Sequence, residues 1–385
     1  MRRVYVDYAA TTPVDPRVFE AMKPYFMEDF GNASSVNTSG VKARKAIEES
    51  REKIARFMNA KAEELVFMGS ATEANNLALK GYAFKHGKAE THIAVSTVEH
   101  DCVLNSAKWL KQQGFKVTFI PVDKYGIIKM DALENAINKG TTLVSIIHGN
   151  NEIGTIEPIK EIGNLCRKNN IIFHTDAAQS FGKTPIDVRE LNIDLMTINA
   201  HKLYGPKGIG ALFIREGIEI EPLLHGGGHE FGLRSSTENV PGIVGFAKAV
   251  ELRKEEMKPE AERLTKLRDK LIKGTLEIED SYLNGHPTQR LPNNANFRFS
   301  YIEGEAIVLG LDIEGIEASS GSACASKTEL PSHVLLAIGL KPEEARGSLR
   351  ISLGKHNTPE DIGYILEVLS KVIYKLREMS PLTKK

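Results

Sequence analysis

The chain has 385 residues, with 50 Lys+Arg against 50 Asp+Glu and a formal net charge of +0. That balance excludes a strong electrostatic case for nucleic acid or an anionic membrane surface, and no apolar run approaches the roughly 20 residues of a membrane helix. The length allows a large core and favours two domains. Cys102, Cys166 and Cys324 lie far apart and form no CxxC pair or zinc spacing. So sparse a set fits a reducing, cytoplasmic setting, and the opening Met-Arg-Arg-Val-Tyr-Val-Asp does not read as a secretory signal.

Residues 4–7 read as a short strand, followed by a loop of small residues and prolines from Tyr8 to Pro16 and a helix through Phe26. Residues 41–58 have helical periodicity. Residues 65–68 are a short apolar strand, and Gly69-Ser-Ala-Thr-Glu-Ala-Asn-Asn76 then opens a helix. A strand, a turn of small residues and a helix start can cradle a phosphate on free backbone N–H groups, with Thr72 adding a hydroxyl. The same pattern also fits an ordinary helix capped by Ser70 or Thr72.

Residues 93–96 form the next expected strand, which delivers Glu99-His100 into a loop or helix start. Strands follow at 117–121, 142–148 and 171–176, with helices at 130–138 and 159–168 between them. The 142–148 strand empties into Gly149-Asn-Asn-Glu-Ile-Gly154, and the 171–176 strand ends on Asp176 with Gln179 just beyond. Residues 195–210 carry an apolar strand into His201-Lys202 and a break at Gly205-Pro206. A lysine on a rigid strand end can be aimed at one atom of a ligand. When desolvated it becomes an amine nucleophile.

Alternation of strands and helices over about 65–215 predicts a mostly parallel α/β sheet. Thr72, His100, Asn151, Asp176, Gln179 and Lys202 all fall at carboxyl ends of expected strands, the edge where open α/β sheets bind ligands. A long charged helix from 243 to 271 and beyond is expected to lead from a large domain (15–255) to a smaller α+β one (1–14 and 256–385). Cys102 and Cys166 read as inert thiols in helical surroundings. Cys324, in a small polar loop, reads as a reactive one.

Pyridoxal phosphate fits this set of groups. Its aldehyde needs an amine, its phosphate a cradle, and its ring nitrogen a carboxylate that keeps it protonated. Asp176 would be that carboxylate. His100 could stack on the ring and Gln179 reach the phenolic oxygen, with Asn199, His201 and Thr237 as further phosphate donors.

The runs Asp7-Tyr-Ala-Ala-Thr-Thr-Pro, Ala71-Thr-Glu-Ala-Asn-Asn, Val98-Glu-His100, Asn150-Asn-Glu-Ile-Gly, His174-Thr-Asp-Ala-Ala-Gln179, His201-Lys-Leu-Tyr-Gly-Pro, His225-Gly-Gly-Gly-His, Thr237-Glu-Asn-Val-Pro and Gly321-Ser-Ala-Cys324 resemble the cysteine desulfurases, a class-V aminotransferase branch that feeds iron–sulfur cluster assembly. The likeness covers nearly the whole chain. It implies the type I pyridoxal-phosphate fold, with a mostly parallel mixed sheet in the large domain, a smaller α+β domain, and a homodimer with each active site at the subunit interface. It implies that Lys202 carries the cofactor as a Schiff base and shuttles protons, and that His100 stacks and assists acid–base steps. Asp176 and Gln179 would hold the ring edge. Ala71, Thr72, Asn199 and His201 would bind phosphate, with Thr237 supplied by the other subunit.

The same likeness gives Asn151 and Arg350 the carboxylate of L-cysteine. It makes Cys324 the residue that takes the sulfur as a persulfide, releases alanine, passes sulfur to a scaffold protein, and ligates a [2Fe–2S] cluster shared with that scaffold. Asn37 and Gly149 depart from residues usual in the family. Two other readings stand beside this one: a selenocysteine lyase, and a non-catalytic partner of the scaffold that offers Cys324 as a cluster ligand.

Overall fold

The computed structural model describes residues 2–320 and 331–381; the Cys324 expectations therefore lie outside the described residues. After the short β1 (Val4–Tyr5) come β2 (Leu65–Met68), β3 (His92–Ser96), β4 (Lys116–Ile120), β5 (Leu143–Ser145), β6 (Ile172–Asp176), β7 (Leu195–Asn199) and β8 (Gly210–Ile214). These last seven form one sheet in the order β2-β8-β7-β6-β5-β3-β4. β8 pairs antiparallel with both neighbours, and every other pairing in the sheet is parallel. The expected mostly parallel mixed sheet is therefore present.

The physical reason lies in how these strands are buried. β2, β3, β5, β7 and β8 are buried along their whole length, as strands covered on both faces must be. Alternate side chains of one strand serve opposite cores. Phe67, Ala94 and Val144 pack into the core on one face, while Val66, Ile93 and Leu143 pack into the core on the other.

A second assembly contains β9 (Ser281–Asn284), β10 (Asn294–Phe299) and β12 (Ser348–Ser352) in the antiparallel order β12-β10-β9. β11 (Ile316–Glu317) pairs in parallel with β1. A third core holds Phe297, Leu349 and Ile351 with Val4 and Val6. The long helix is Val240–Thr275, starting ahead of the expected 243 and running past 271 as expected, and it begins at an Asn239 cap that accepts from the Gly242 N–H. Its residues Val240, Ile243 and Phe246 enter the first core, and Leu264, Leu267 and Leu271 enter the third. Among the described residues no helix is long and apolar enough to cross a membrane.

One open alternative is decided, a helix start after His100, and one boundary differs from expectation. Residues 101–112 form a full helix, Asp101–Gln112, capped by His100. The 142–148 strand is regular only over Leu143–Ser145, yet Ile146 and His148 still donate their N–H groups to the β6 side, to the carbonyls of His174 and Asp176.

Candidate active site

Because β2, β3, β5, β6 and β7 run the same way, their carboxyl ends share one edge. A cavity of about 340 Å³ opens there. Its wall contains Ala71, Thr72, His100, Asn151, Asp176, Gln179, Asn199, His201, Lys202 and Arg350. Thr237 is exposed, in the loop before the long helix, and is not on the cavity wall of its own chain.

The turn after β2 starts the helix Ala71–Asn76. Ser70 is its cap, with Oγ accepting from the Glu73 N–H at 3.1 Å, so the capped-helix reading holds. It does not compete with an anion site, because the N–H groups of Ala71 and Thr72 have no intrahelical acceptor. Gly210 makes the turn possible. A Cβ there would lie 2.8 Å from the Ile198 carbonyl and 3.2 Å from the Ala71 nitrogen. Glu73, in the first helical turn, is paired to Arg234 at 2.8 Å. His201 lies beside this turn, with Nδ1 3.1 Å from Thr11 Oγ1. Burial, then the charges of Lys202, Lys207 and Lys183, push its imidazole down to about 4, so it stays neutral at pH 7.

Asp176 ends β6 and is buried. Its Oδ2 accepts from Asn75 Nδ2 at 2.7 Å, and its Oδ1 from the Ala178 N–H at 2.9 Å. Lys202 follows β7 in a turn closed by the Leu203 and Gly205 N–H groups, both donating to the Ala200 carbonyl. Tyr204 takes a left-handed φ of 66° and donates its own N–H to Thr12 Oγ1. Lys202 Nζ donates to the carbonyls of Ala9 and Ala10. Gln179 Nε2 donates to the same Ala9 carbonyl at 2.8 Å.

His100 accepts the Cys102 N–H on Nδ1 at 3.2 Å, which places the proton of its neutral ring on Nε2. Cys102, read from the sequence as an inert thiol in helical surroundings, is in the helix Asp101–Gln112. Its Sγ lies 3.1 Å from Asn75 Nδ2 and 3.0 Å from His100 Nδ1, on the cavity wall. Burial, then the Asp176 charge, push it up to about 12, so it stays a thiol there. Cys166 is buried.

Arg350, on β12, reaches the cavity from the second assembly. Nη1 donates to the Asn151 carbonyl at 2.9 Å and Nη2 to Asp7 Oδ1 at 2.8 Å. The sequence reading missed Asn75, Glu152 and His333, which surround these groups. Glu152 is buried on the wall, accepts from Ser332 Oγ at 2.5 Å, and is held above the usual carboxylate range chiefly by burial. His333 Nε2 lies 2.9 Å from the Glu99 carbonyl. Asn75 had a signal, one helical turn after Ala71 and so on the same side. His333 had none, because its neighbour comes from residue 99. The two family departures have local causes. Asn37 caps the helix Thr38–Phe57, and a Cβ at Gly149 would meet Leu291 at 2.9 Å.

The donor set fits pyridoxal phosphate. An amine, a buried carboxylate and a pair of free helix-start N–H groups face one cavity. On the wall, the buried Asn151 Oδ1 and Asn199 Oδ1 have no partner among the described residues, as expected of a wall shaped for a polar group; Asn75 Oδ1, beside Asp176, likewise has none.

The aminotransferase class-V model matches residues 4–365. A relative from Archaeoglobus fulgidus, "Cysteine desulfurase IscS 1", is 55% identical over 378 residues, covering 98% of this chain and 99% of the relative. A solved structure titled "NIFS-LIKE PROTEIN" superposes with a TM-score of 0.91 at 39% identity, over 97% of this chain and 100% of that one. Another, "SspA in complex with cysteine", gives a TM-score of 0.82 at 40% identity, over 92% and 99%.

Proposed function

The chain belongs to the aminotransferase class-V family, and from that premise we propose that it is a pyridoxal-phosphate-dependent cysteine desulfurase, converting L-cysteine to L-alanine and passing the sulfur to an acceptor such as an iron–sulfur scaffold. The observation that carries the reading is the meeting of Lys202, Asp176, the Ala71–Thr72 helix start and Arg350 on one cavity. When bound, the cofactor supplies an aldehyde for an amine and a ring that takes up the electron pair freed at the substrate α-carbon.

In this reading the Lys202 amine holds the cofactor and moves the α-proton. Asp176, fixed by Asn75 and the Ala178 N–H, keeps a proton on the ring nitrogen. His100 stacks on the ring, with the Nε2 proton of its neutral form available to donate. Ala71, Thr72, Asn199 and neutral His201 take the phosphate, and Gln179 the phenolic oxygen. Arg350 and Asn151 take the substrate carboxylate, which must share Arg350 with Asp7. The Cys324 thiolate attacks the substrate sulfur. The S–S bond of a persulfide forms as the C–S bond breaks, and the carbon left behind takes a proton to become the methyl of alanine. The same reading makes Cys324 a ligand to a [2Fe–2S] cluster shared with the scaffold.

A homodimer belongs to the reading. It is supported by Thr237 standing outside its own cavity and by exposed Phe26, Met27, Phe30 and Val36, large apolar side chains close in sequence that a second copy would cover. The division into 15–255 and 1–14 with 256–385 is supported by the separate first and third cores. A cytoplasmic setting rests on three sparse cysteines.

The test measures alanine and sulfide from L-cysteine with a reductant, together with the visible absorbance, for the wild type and Cys324→Ala. A yellow wild type that makes both products, beside a yellow variant that makes neither, supports the reading. A wild type that binds cofactor yet makes no alanine overturns it in favour of a non-catalytic scaffold partner.

A further inference from the structure

Behind Gln179 stands a second lysine that the catalytic reading leaves unused. Lys183 lies four residues on, in the turn where the Thr184 N–H donates to the Ser180 carbonyl. Its Nζ donates to the Gln179 carbonyl at 2.9 Å and to Gln179 Oε1 at 3.3 Å. Gln179 Nε2 donates to the Ala9 carbonyl, which also receives Lys202 Nζ. The two lysines are thus joined through one amide and one carbonyl. They also share the wall of a second, smaller cavity of about 20 Å³, with Tyr204, Arg253 and Glu260. Glu260 is engaged by Arg253 at 2.6 Å, and among the described residues no carboxylate lies within ion-pair distance of Lys183. A half-buried ammonium without a counter-ion is costly, so its placement calls for a use.

The two ends of a glutamine amide have nearly the same shape, and their partners decide which way it faces. The Ala9 carbonyl only accepts, so it takes Nε2. An ammonium only donates, so it takes Oε1. The two constraints agree, and the second N–H of Nε2 is left for a group in the large cavity. We propose that Lys183 is a positioning residue of the active site, which holds Gln179 Oε1 so that the amide presents its N–H to the phenolic oxygen of the cofactor. This rests on the cofactor reading above.

The hold depends on pH. Burial, then the charge of Lys202, pull Lys183 down to about 7, with Arg253 and Arg350 acting in the same direction and Glu260 against them. Above that range the neutral amine can also accept, and the amide loses one of its two constraints.

The experiment follows the pH midpoint of the visible absorbance in substrate-free, pyridoxal-phosphate-loaded enzyme. An N–H donated to the phenolic oxygen stabilises its anionic form and so favours loss of the neighbouring proton at Lys202. Losing that donor raises the midpoint. Lys183→Met is expected to shift it upward by about one unit, while Lys183→Arg stays near the wild type. In a Gln179→Leu background the Lys183→Met change adds no further shift, because Lys183 acts through that amide. Should Lys183→Met not fold, Lys183→Gln carries the test. Its amide can accept as well as donate, so a midpoint between wild type and the full shift is expected. An unchanged midpoint in either variant overturns the inference alone, as does an equal shift in the Gln179→Leu background. A wild type with no visible band overturns the cofactor reading along with it.

Discussion

The two sides of Lys202 are built on opposite principles. Behind it, where the long helix meets the N-terminal loop and the segment after β12, charges close on one another. Asp15 takes Arg17 and Lys355, Glu256 takes Arg17, Lys355 and Arg253, and Glu260 takes Arg253 and the Tyr204 hydroxyl. Arg17, first among its partners, holds Asp15 far below the usual carboxylate range. In front, the buried side-chain oxygens of Asn151 and Asn199 on the cavity wall, and of Asn75 beside Asp176, have no partners among the described residues. Paired charge predominates on the side that joins the two assemblies, although Lys183, Arg253 Nε and Asn293 Oδ1 there are exceptions. Unpartnered amide oxygens lie on the side that waits for a ligand.

The sharpest way to break this comparison is at Lys202 itself. Lys202→Ala should lower kcat on the order of 10⁴-fold, the span of a lost proton-transfer group, with its denaturant midpoint little changed. A variant that keeps activity ends the front-face assignment. Asp176→Asn should follow, at roughly 10³-fold in kcat, and single-turnover kinetics would place the loss in the chemical step. On the other side, Arg253→Met leaves Glu260 without its buried cation. It should cost about 3 kcal/mol in urea unfolding while the affinity for pyridoxal phosphate holds. A loss of affinity without a loss of stability would reverse the roles given to the two sides.

The smallest effect concerns Glu157, a buried carboxyl raised to about 8, first by burial and then by the Asp123 charge. Its folded value lies above the unfolded one. The stability it contributes is therefore complete below about pH 4.5 and is lost as pH rises through about 8. Glu157→Gln should flatten the fall in unfolding free energy between pH 6 and 9 by on the order of 2 kcal/mol. An identical slope in both proteins removes Glu157 from the account.

Asp176 and Lys202 were readable in the sequence because one ends and the other closely follows a largely apolar, partly β-branched strand, and a strand fixes where its last residue goes. The full α/β sheet was readable for the same reason. β1 was read as the strand of residues 4–7, but its partner β11 was not: two residues have no periodicity, and Ile316 is in a strand only because Val4 meets it across the chain. Cys102 reads as inert from its apolar neighbours Val103 and Leu104, and burial keeps it a thiol, but that pattern gave no sign that its Sγ lies beside Asn75 on the cavity wall. Lys183 sits in Gly-Lys-Thr-Pro, the composition of a solvated turn. Only its meeting with the Gln179 side chain distinguishes it.

The helix Val240–Thr275 runs unbroken across the position where the two proposed domains divide, with Pro259 inside it. It acts as a spar shared by both halves. A cut at 255/256 for a split reporter or a fragment library would sever the spar in mid-span and strand apolar side chains on both pieces. Recombination between related chains would do better to exchange this helix whole, with both of its packing faces, than to treat the boundary as a cassette joint.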